Sequence, residues 1–251
     1  MNKDKKMTLN PIVLVTGASG GIGRALVARL KTRGLQVAAV GRDLSRLKEV
    51  AADLHIEADT TTPQGAATAI DQCKAQWGLP PSFLAHAVGS TLVASLHRSR
   101  EEQIRDVLRI NLESSLWMLQ AWITGLNGGP GAAVFASSVV AQIGVANHEA
   151  IAAAKGGVEA LVRSAAATYA AQGVRVNAVA PGLTETGMTA GMLKLPAMRE
   201  AAGKQYPLGG IQTAEDVASV MDWLLSPEAA RLTGQTLAVD GGFTTIRPLI
   251  R

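Results

Sequence analysis

Three glycines, Gly17, Gly21 and Gly23, punctuate the run Val13-Leu14-Val15-Thr16-Gly17-Ala18-Ser19-Gly20-Gly21-Ile22-Gly23-Arg24. Backbone without side-chain bulk can approach a phosphate closely. A helix N-terminus behind it adds unpaired N–H groups and the positive end of a dipole. The spacing Gly-x3-Gly-x-Gly is weak evidence alone, because an ordinary tight turn uses the same residues. Its context strengthens it: a strand-forming run precedes the glycines, and residues 24–30 continue at helical spacing. Strand, glycine turn and helix start together read as a dinucleotide-binding element.

The next strand bears on which dinucleotide. An acid at the end of strand two would bond the ribose hydroxyls and repel a 2′-phosphate. Gly41 holds that slot and Arg42 follows it. A guanidinium pairs well with phosphate, so NADP(H) is expected over NAD(H). A merely solvated Arg42 is the bland alternative. Asp43 reads as the N-cap of the next helix rather than a ribose ligand.

The elements that must carry these residues alternate regularly. Strands are expected at 12–15, 36–40, 55–58, 82–87, 132–137, 174–179 and 235–239. Between them fall helices at 24–33, closed by Gly34, and at 44–53. Another opens at Thr62-Pro63 as N-cap and first-turn proline. A long helix runs to 126 from a capping box at Ser99-Arg100-Glu101-Glu102, a fifth covers 148–171, and a last one covers 213–225. Strands rich in Val, Ala and Leu that never meet in hairpins demand parallel pairing with helices on both faces. Right-handed crossovers make this an α/β doubly wound, seven-stranded Rossmann sheet. Residues 11–251 are read as one domain after a polar tail at 1–10. The stretch 184–210, with Pro196 and Pro207, lies outside the alternation and suits a substrate lid or a plain surface insertion.

Composition excludes several classes. The net charge of +4 is scattered and aromatics are 4%, so no basic, base-stacking surface for nucleic acid is expected. Cys73 is the only cysteine, which leaves no disulfide framework and no cysteine metal cluster. No apolar run approaches the roughly 20 residues of a membrane span, and residues 1–10 lack a signal-peptide core. A cytoplasmic protein without a metal is the expectation.

The whole pattern, over about residues 10 to 243, resembles the short-chain dehydrogenase/reductase family, close to its ketoacyl-reductase-like branch. Residues 16–23 are similar to the family's cofactor loop, which implies cofactor contacts from Gly17, Ser19, Gly21, Ile22 and Gly23. The resemblance implies adenine contact from Asp59 and Thr60. His86-Ala87-Val88-Gly89 stands where the family has Asn-Asn-Ala-Gly, so Ala87 and Gly89 join the cofactor set. Asn111 fits the active-site asparagine, and Ser138, in Ser137-Ser138-Val139-Val140, fits the polarising serine. Pro181, Gly182, Thr184 and Thr186 resemble the stretch that holds the nicotinamide amide. Lys155 fits the lysine that orients the ribose. Each also has a local alternative: Asp59 as a turn residue, Thr184 and Thr186 as caps, Ser138 as a strand end, Asn111 as a backbone-bonding helix residue.

The departure is catalytic. The family carries Tyr-x3-Lys, and here Ile151 occupies the tyrosine position before Lys155. Reducing a carbonyl needs hydride on carbon and a proton on oxygen. A phenol beside a lysine ammonium supplies that proton, and a serine hydroxyl polarises the same oxygen. An isoleucine has no proton to give. Tyr169 and Tyr206 are the only tyrosines, and neither precedes a lysine by four. Tyr169 reads as core or interface. Tyr206, in the lid stretch, reads as substrate packing, with proton donation as the lesser alternative. His148 lies seven residues before Lys155, on one helix face, about 10 Å away. Enoyl reductases of this superfamily resemble that spacing, with their acid at this position. A histidine there can donate near neutral pH; otherwise His148 only begins the helix after Asn147.

Two functions follow. One is an atypical NADP(H)-dependent oxidoreductase acting on a small-molecule carbonyl or activated C=C bond. The other is a catalytically inactive NADP(H)-binding subunit or sensor partnering an active family member. The small and apolar residues Ala152, Ala153, Ala160, Val162, Ala166 and Ala167 exceed what one sheet face covers. That predicts a homo-oligomer, dimer or tetramer, or a hetero-oligomer with an active relative.

Overall fold

The structure, a computed structural model, describes residues 11–247. The tail at 1–10 lies outside the described residues. Strand β1 (Ile12–Thr16) is buried at every position, as a central strand covered on both faces must be. It pairs in parallel with β2 (Gln36–Gly41) and with β4 (Phe83–His86). Outward from these lie β3 (Leu54–Glu57) on one side, then β5 (Gly131–Ala136), β6 (Val174–Pro181) and β9 (Thr236–Val239) on the other. The seven-strand order is β3-β2-β1-β4-β5-β6-β9, all parallel. A two-residue pair, β7 (Thr184–Glu185) with β8 (Gln212–Thr213), ties the stretch after β6 to the start of a later helix.

Alternation along β1 sorts the helices into two layers. Val13 and Val15 face α1 (Gly21–Thr32) and α8 (Ala214–Leu225), whose Leu26, Leu30, Met221 and Leu225 fill that core. Leu14 faces the opposite layer of α3 (Pro63–Trp77), α5 (Ser114–Leu126) and α6 (Glu149–Tyr169). Trp122 is fully buried there and donates its Nε1–H to Pro81 O at 2.9 Å. The strand order reverses between β1 and β4, which opens a crevice at their C-terminal ends. No described helix is long and apolar enough to cross a membrane.

Local signals that rest on capping chemistry match the structure. Thr62 caps α3 through Gly65 N, Thr213 and Asp216 form a capping box, and Asp43 accepts from Ser45 and Arg46 N–H. Four expectations need correction. The helix expected at 44–53 stops after one turn, α2 (Leu44–Leu47), because Asp53 is pulled back to the sheet: its carboxylate accepts from Val37 N at 2.7 Å and pairs with Lys31. The helix expected to begin at Ser99 starts one residue later. Arg100 N donates to Gln103 Oε1, while the Ser99 hydroxyl turns back to Ser95 O. That helix is also not continuous. It runs as α4 (Glu101–Leu108), a π-helical turn over Arg109–Glu113, and α5. Of the residues expected on the oligomer face of α6, Val162 and Ala166 are buried against the sheet; Ala153, Ala160 and Ala167, seven apart, are exposed.

Candidate active site

A cavity of about 950 Å³ occupies the crevice at the C-terminal ends of the strands. Ser19 to Gly23 form one wall. Gly17 turns the chain at φ +67°, with Ala87 O only 2.7 Å from where a Cβ would stand. At Gly21 a Cβ would meet Thr186 Cγ2 at 2.8 Å, so the glycine turn and the segment after β6 close on each other only because no side chain intervenes. Gly20 is the N-cap of α1 and no side chain caps that turn. The helix therefore presents an uncapped N-terminus at the cavity edge, the arrangement a pyrophosphate needs. The residues present fit the phosphate half of a dinucleotide.

The π turn explains the position of Asn111. Its Nδ2 donates to Val107 O at 2.9 Å, one turn back, and to Ser90 Oγ at 3.0 Å; its Oδ1 accepts from Ser90 N at 3.1 Å. The amide thus competes with the helix ladder for Val107 O and accompanies a local widening of the helix. Asn111 is fully buried, yet lines the cavity beside Gly89. Lys155 stands close by: Gly89 would bring a Cβ to 3.5 Å from its Nζ and 3.1 Å from Asn111 Oδ1. The Lys155 amine donates to Ala136 O at 2.7 Å, and burial pulls it down to about 8. Ser138, two residues past β5, caps a short 3-10 turn through Val140 N and lines the cavity. Ser137 instead turns inward and donates to Glu159 Oε1 at 2.9 Å. Ile151, 4% exposed, lies one turn before Lys155, packed among Val107, Ala150, Ala154 and Val140, and forms part of the cavity wall.

His148 is the N-cap of α6 and lines the same cavity. Its Nδ1 lies 2.7 Å from Ala146 O. A carbonyl only accepts, so Nδ1 carries the hydrogen and Nε2 is the nitrogen that remains for chemistry. Asn147, at φ +63°, makes the bend that allows this bond, and its carbonyl accepts from Ala94 N. Tyr206 is buried, and its Oη accepts from Leu183 N at 2.7 Å. Burial raises its phenol above the ordinary range, with the Leu183 N–H partly opposing. It braces Pro181-Gly182-Leu183 and stacks near Phe243, with ring centroids 5.1 Å apart. Tyr169 packs against the sheet core away from the cavity.

The cavity also takes in Ala87, Gly89, Pro181, Gly182, Thr184 and Thr186. Arg42, Asp59 and Thr60 do not line it. They stand past the ends of β2 and β3, where Arg42 lies within electrostatic reach of Asp59. Burial opposes the charge on Asp59, but the Thr61 N–H and hydroxyl outweigh it and hold the carboxyl below its usual range. The cations at the glycine-turn end are instead Arg24 and Arg46, which both donate to Ser19 O, at 3.0 and 3.5 Å. Arg46, four residues after Arg42, is the cation whose place at the cavity edge the sequence alone did not mark. The apolar wall from Val140, Val145, Met188, Met192 and Phe243 was also missed, because those residues are far apart in the chain. His86 sits beneath the cavity, fully buried, with Nδ1 2.7 Å from Thr16 Oγ1 and Nε2 2.9 Å from Ser114 Oγ. Burial, helped by the Lys155 charge, drives it down to about 3, so it stays neutral and ties β1 to the helix that carries Asn111.

Sheet order, glycine turn and cavity at the strand switch point define a doubly wound, dinucleotide-binding protein. Residues 17–244 match the family model described as Enoyl-(Acyl carrier protein) reductase. The chain belongs to the short-chain dehydrogenase/reductase family. Cis-4-hydroxycyclohexanecarboxylate dehydrogenase of Sinomonas cyclohexanicum is 36% identical over 244 residues, 94% of this chain and 97% of that one. 3-oxoacyl-(acyl-carrier-protein) reductase FabG of Pseudomonas aeruginosa is 33% identical over 241 residues, 92% of this chain and 96% of that one. The ligand-free aldohexose dehydrogenase of Thermoplasma acidophilum superposes with a TM-score of 0.88 at 28% identity, covering 96% of this chain and 97% of that one. These relatives are oxidoreductases, and the family uses nicotinamide cofactors.

Proposed function

We propose that the protein is an NADP(H)-dependent oxidoreductase that reduces a small-molecule carbonyl or activated C=C bond without a tyrosine at its centre. The observation that carries this is Ile151: it is buried in the cavity wall one turn before a lysine that keeps its place. Bound there, a nicotinamide supplies hydride. The turn from Gly17 to Gly23 holds the pyrophosphate, with Ser19, Gly21 and Ile22 in contact. Arg42 takes the 2′-phosphate, and Asp59 and Thr60 take the adenine. Ala87, Gly89, Pro181, Gly182, Thr184 and Thr186 seat the nicotinamide half. Lys155 orients the ribose hydroxyls, and Asn111, buried beside it, fixes that corner of the site. The relatives' names speak of a hydroxycyclohexanecarboxylate and a 3-oxoacyl group, which share a hydroxyl or carbonyl group on aliphatic carbon.

Ser138 polarises the acceptor oxygen, and His148 or water provides the proton. The Ala146 carbonyl holds the His148 Nδ1–H, so Nε2 does the donating when the ring is in its protonated, imidazolium form, and is left as an acceptor afterwards. An activated double bond asks less of this site than a ketone. Its proton goes to carbon and can come from solvent, so the loss of a phenol matters less. The same Ile151 favours a second reading, a cofactor-binding subunit or sensor without turnover, partnering an active relative. The exposed alanines of α6 suit assembly with a second copy or with such a relative.

NADPH oxidation by the purified protein over a panel of ketones and enoyl thioesters tests the proposal. Turnover should appear and should fall at least about tenfold in His148→Phe. An unchanged rate rejects the histidine as the acid. Inactivity throughout, with NADPH binding retained, supports the second reading.

A further inference from the structure

The cavity changes character along its length. At the glycine-turn end stand two guanidiniums, Arg24 and Arg46. At the middle Lys155 commits its amine to Ala136 O. Beyond it the wall turns largely apolar, with Val140 packed beside Ile151 and with Leu183, Met192 and Phe243. Tyr206 also lines the cavity; its oxygen accepts from Leu183 N, a bond that does not use its own O–H. Among the described residues that line the cavity there is no Asp or Glu, and past Lys155 no Arg or Lys. The side chains left to address a substrate's polar atom carry no fixed charge: the Ser138 and Tyr206 hydroxyls, Thr91, Gln205, and His148, whose Nδ1–H is already given to Ala146 O.

We infer that this end of the site admits an uncharged, largely apolar carbonyl compound, such as an alicyclic ketone or enone, and turns away a molecule bearing a free carboxylate beside the reacting group. The inference rests on the cofactor seat proposed above, which assigns the guanidinium end to the cofactor. A carboxylate entering the apolar end gives up its water shell and gains no guanidinium or ammonium in exchange. His148 offers it one nitrogen, which cannot reproduce a two-toothed ion pair. A neutral carbonyl needs only one or two donors on its oxygen and otherwise benefits from burying its carbon frame. Ile151 contributes directly: a phenol at that position would add a polar group to the middle of the wall, and the isoleucine makes it continuous with Val140.

The test is calorimetric binding to the NADPH-saturated protein. The probes are cyclohex-2-enone and the matched 4-oxocyclohex-2-ene-1-carboxylate at neutral pH. The neutral probe should bind at least about tenfold more tightly. Met192→Arg, which sets a cation on the half-buried lid side of the apolar end, should reverse that order. Equal or tighter binding of the carboxylate to the unmodified protein overturns the inference. So does failure of both probes to bind while NADPH binds normally, a result that leaves the cofactor assignment standing. If NADPH itself does not bind, the functional proposal fails. The same pair titrated into the cofactor-free protein then decides the inference by the same criterion.

Discussion

Lys155→Met separates a lysine kept for function from one kept for stability. The amine is buried, its one hydrogen bond goes to Ala136 O, and its charge is disfavoured enough to bring it from 10.5 to about 8. At 1.36 kcal/mol per pH unit that is a cost of roughly 3 kcal/mol for the charged amine in the folded chain. Below pH 8 folded and unfolded chains both hold the proton, and the folded state bears the whole cost. Between pH 8 and 10.5 the folded chain releases its proton first, so stability rises with pH until the cost is gone. Methionine keeps the length, removes the charge and loses a hydrogen bond worth about 1 kcal/mol. The variant should therefore be more stable by about 2 kcal/mol at pH 7 and lose that advantage by pH 10. Urea unfolding of the cofactor-free protein at the two pH values measures both numbers. NADPH binding, followed by its fluorescence, should weaken in the same variant. A variant less stable at pH 7, or equally displaced at both pH values, would refute the reasoning.

Three other expectations concern the cofactor seat and assembly. Gly21→Val drives a side chain into Thr186, 2.8 Å from the Cβ position, and should weaken NADPH binding by more than about tenfold with the circular dichroism spectrum intact. Binding within twofold would show that the turn does not face the cofactor. Arg42→Ala should cost NADPH about tenfold in affinity and leave NADH unchanged. Arg46→Ala in parallel tells whether the guanidinium at the cavity edge carries that role instead, and equal affinity of the parent protein for both nucleotides removes the 2′-phosphate assignment. Light scattering should report a dimer or tetramer, reduced in mass by Ala160→Glu on the exposed stripe of α6; a monomer contradicts the assembly reading.

Much of the architecture was legible because it rests on short-range rules. A strand buried on both faces must be apolar wherever no partner satisfies a polar group, and β1 reads that way from Ile12 to Val15. Caps such as Thr62, Asp43 and Thr213 declare themselves within three residues of the N–H groups they satisfy. The glycine turn is legible for the same reason, since its requirement is local. Where the reading failed, a distant partner intervened. Asp53 bonds Val37 and ends α2 early, and the Asn111 amide, braced by Ser90, accompanies a π turn in what would otherwise be one helix.

The site divides along the same line. Residue types and spacing alone determined that a phosphate-binding turn exists, that Lys155 has an isoleucine four residues before it, and that His148 lies two turns away on that helix. Tertiary structure alone decided that the Tyr206 oxygen accepts from Leu183 N at the cavity wall, that Ala146 dictates the His148 tautomer, and that Arg46 rather than Arg42 reaches the cavity edge. It also gathered the apolar wall from residues as far apart as Val140 and Phe243. The reason is physical. Backbone preference and capping act over a few residues and leave a trace in the chain, whereas a cavity wall and a shared carbonyl are set by which surfaces meet once the helices have packed on the sheet.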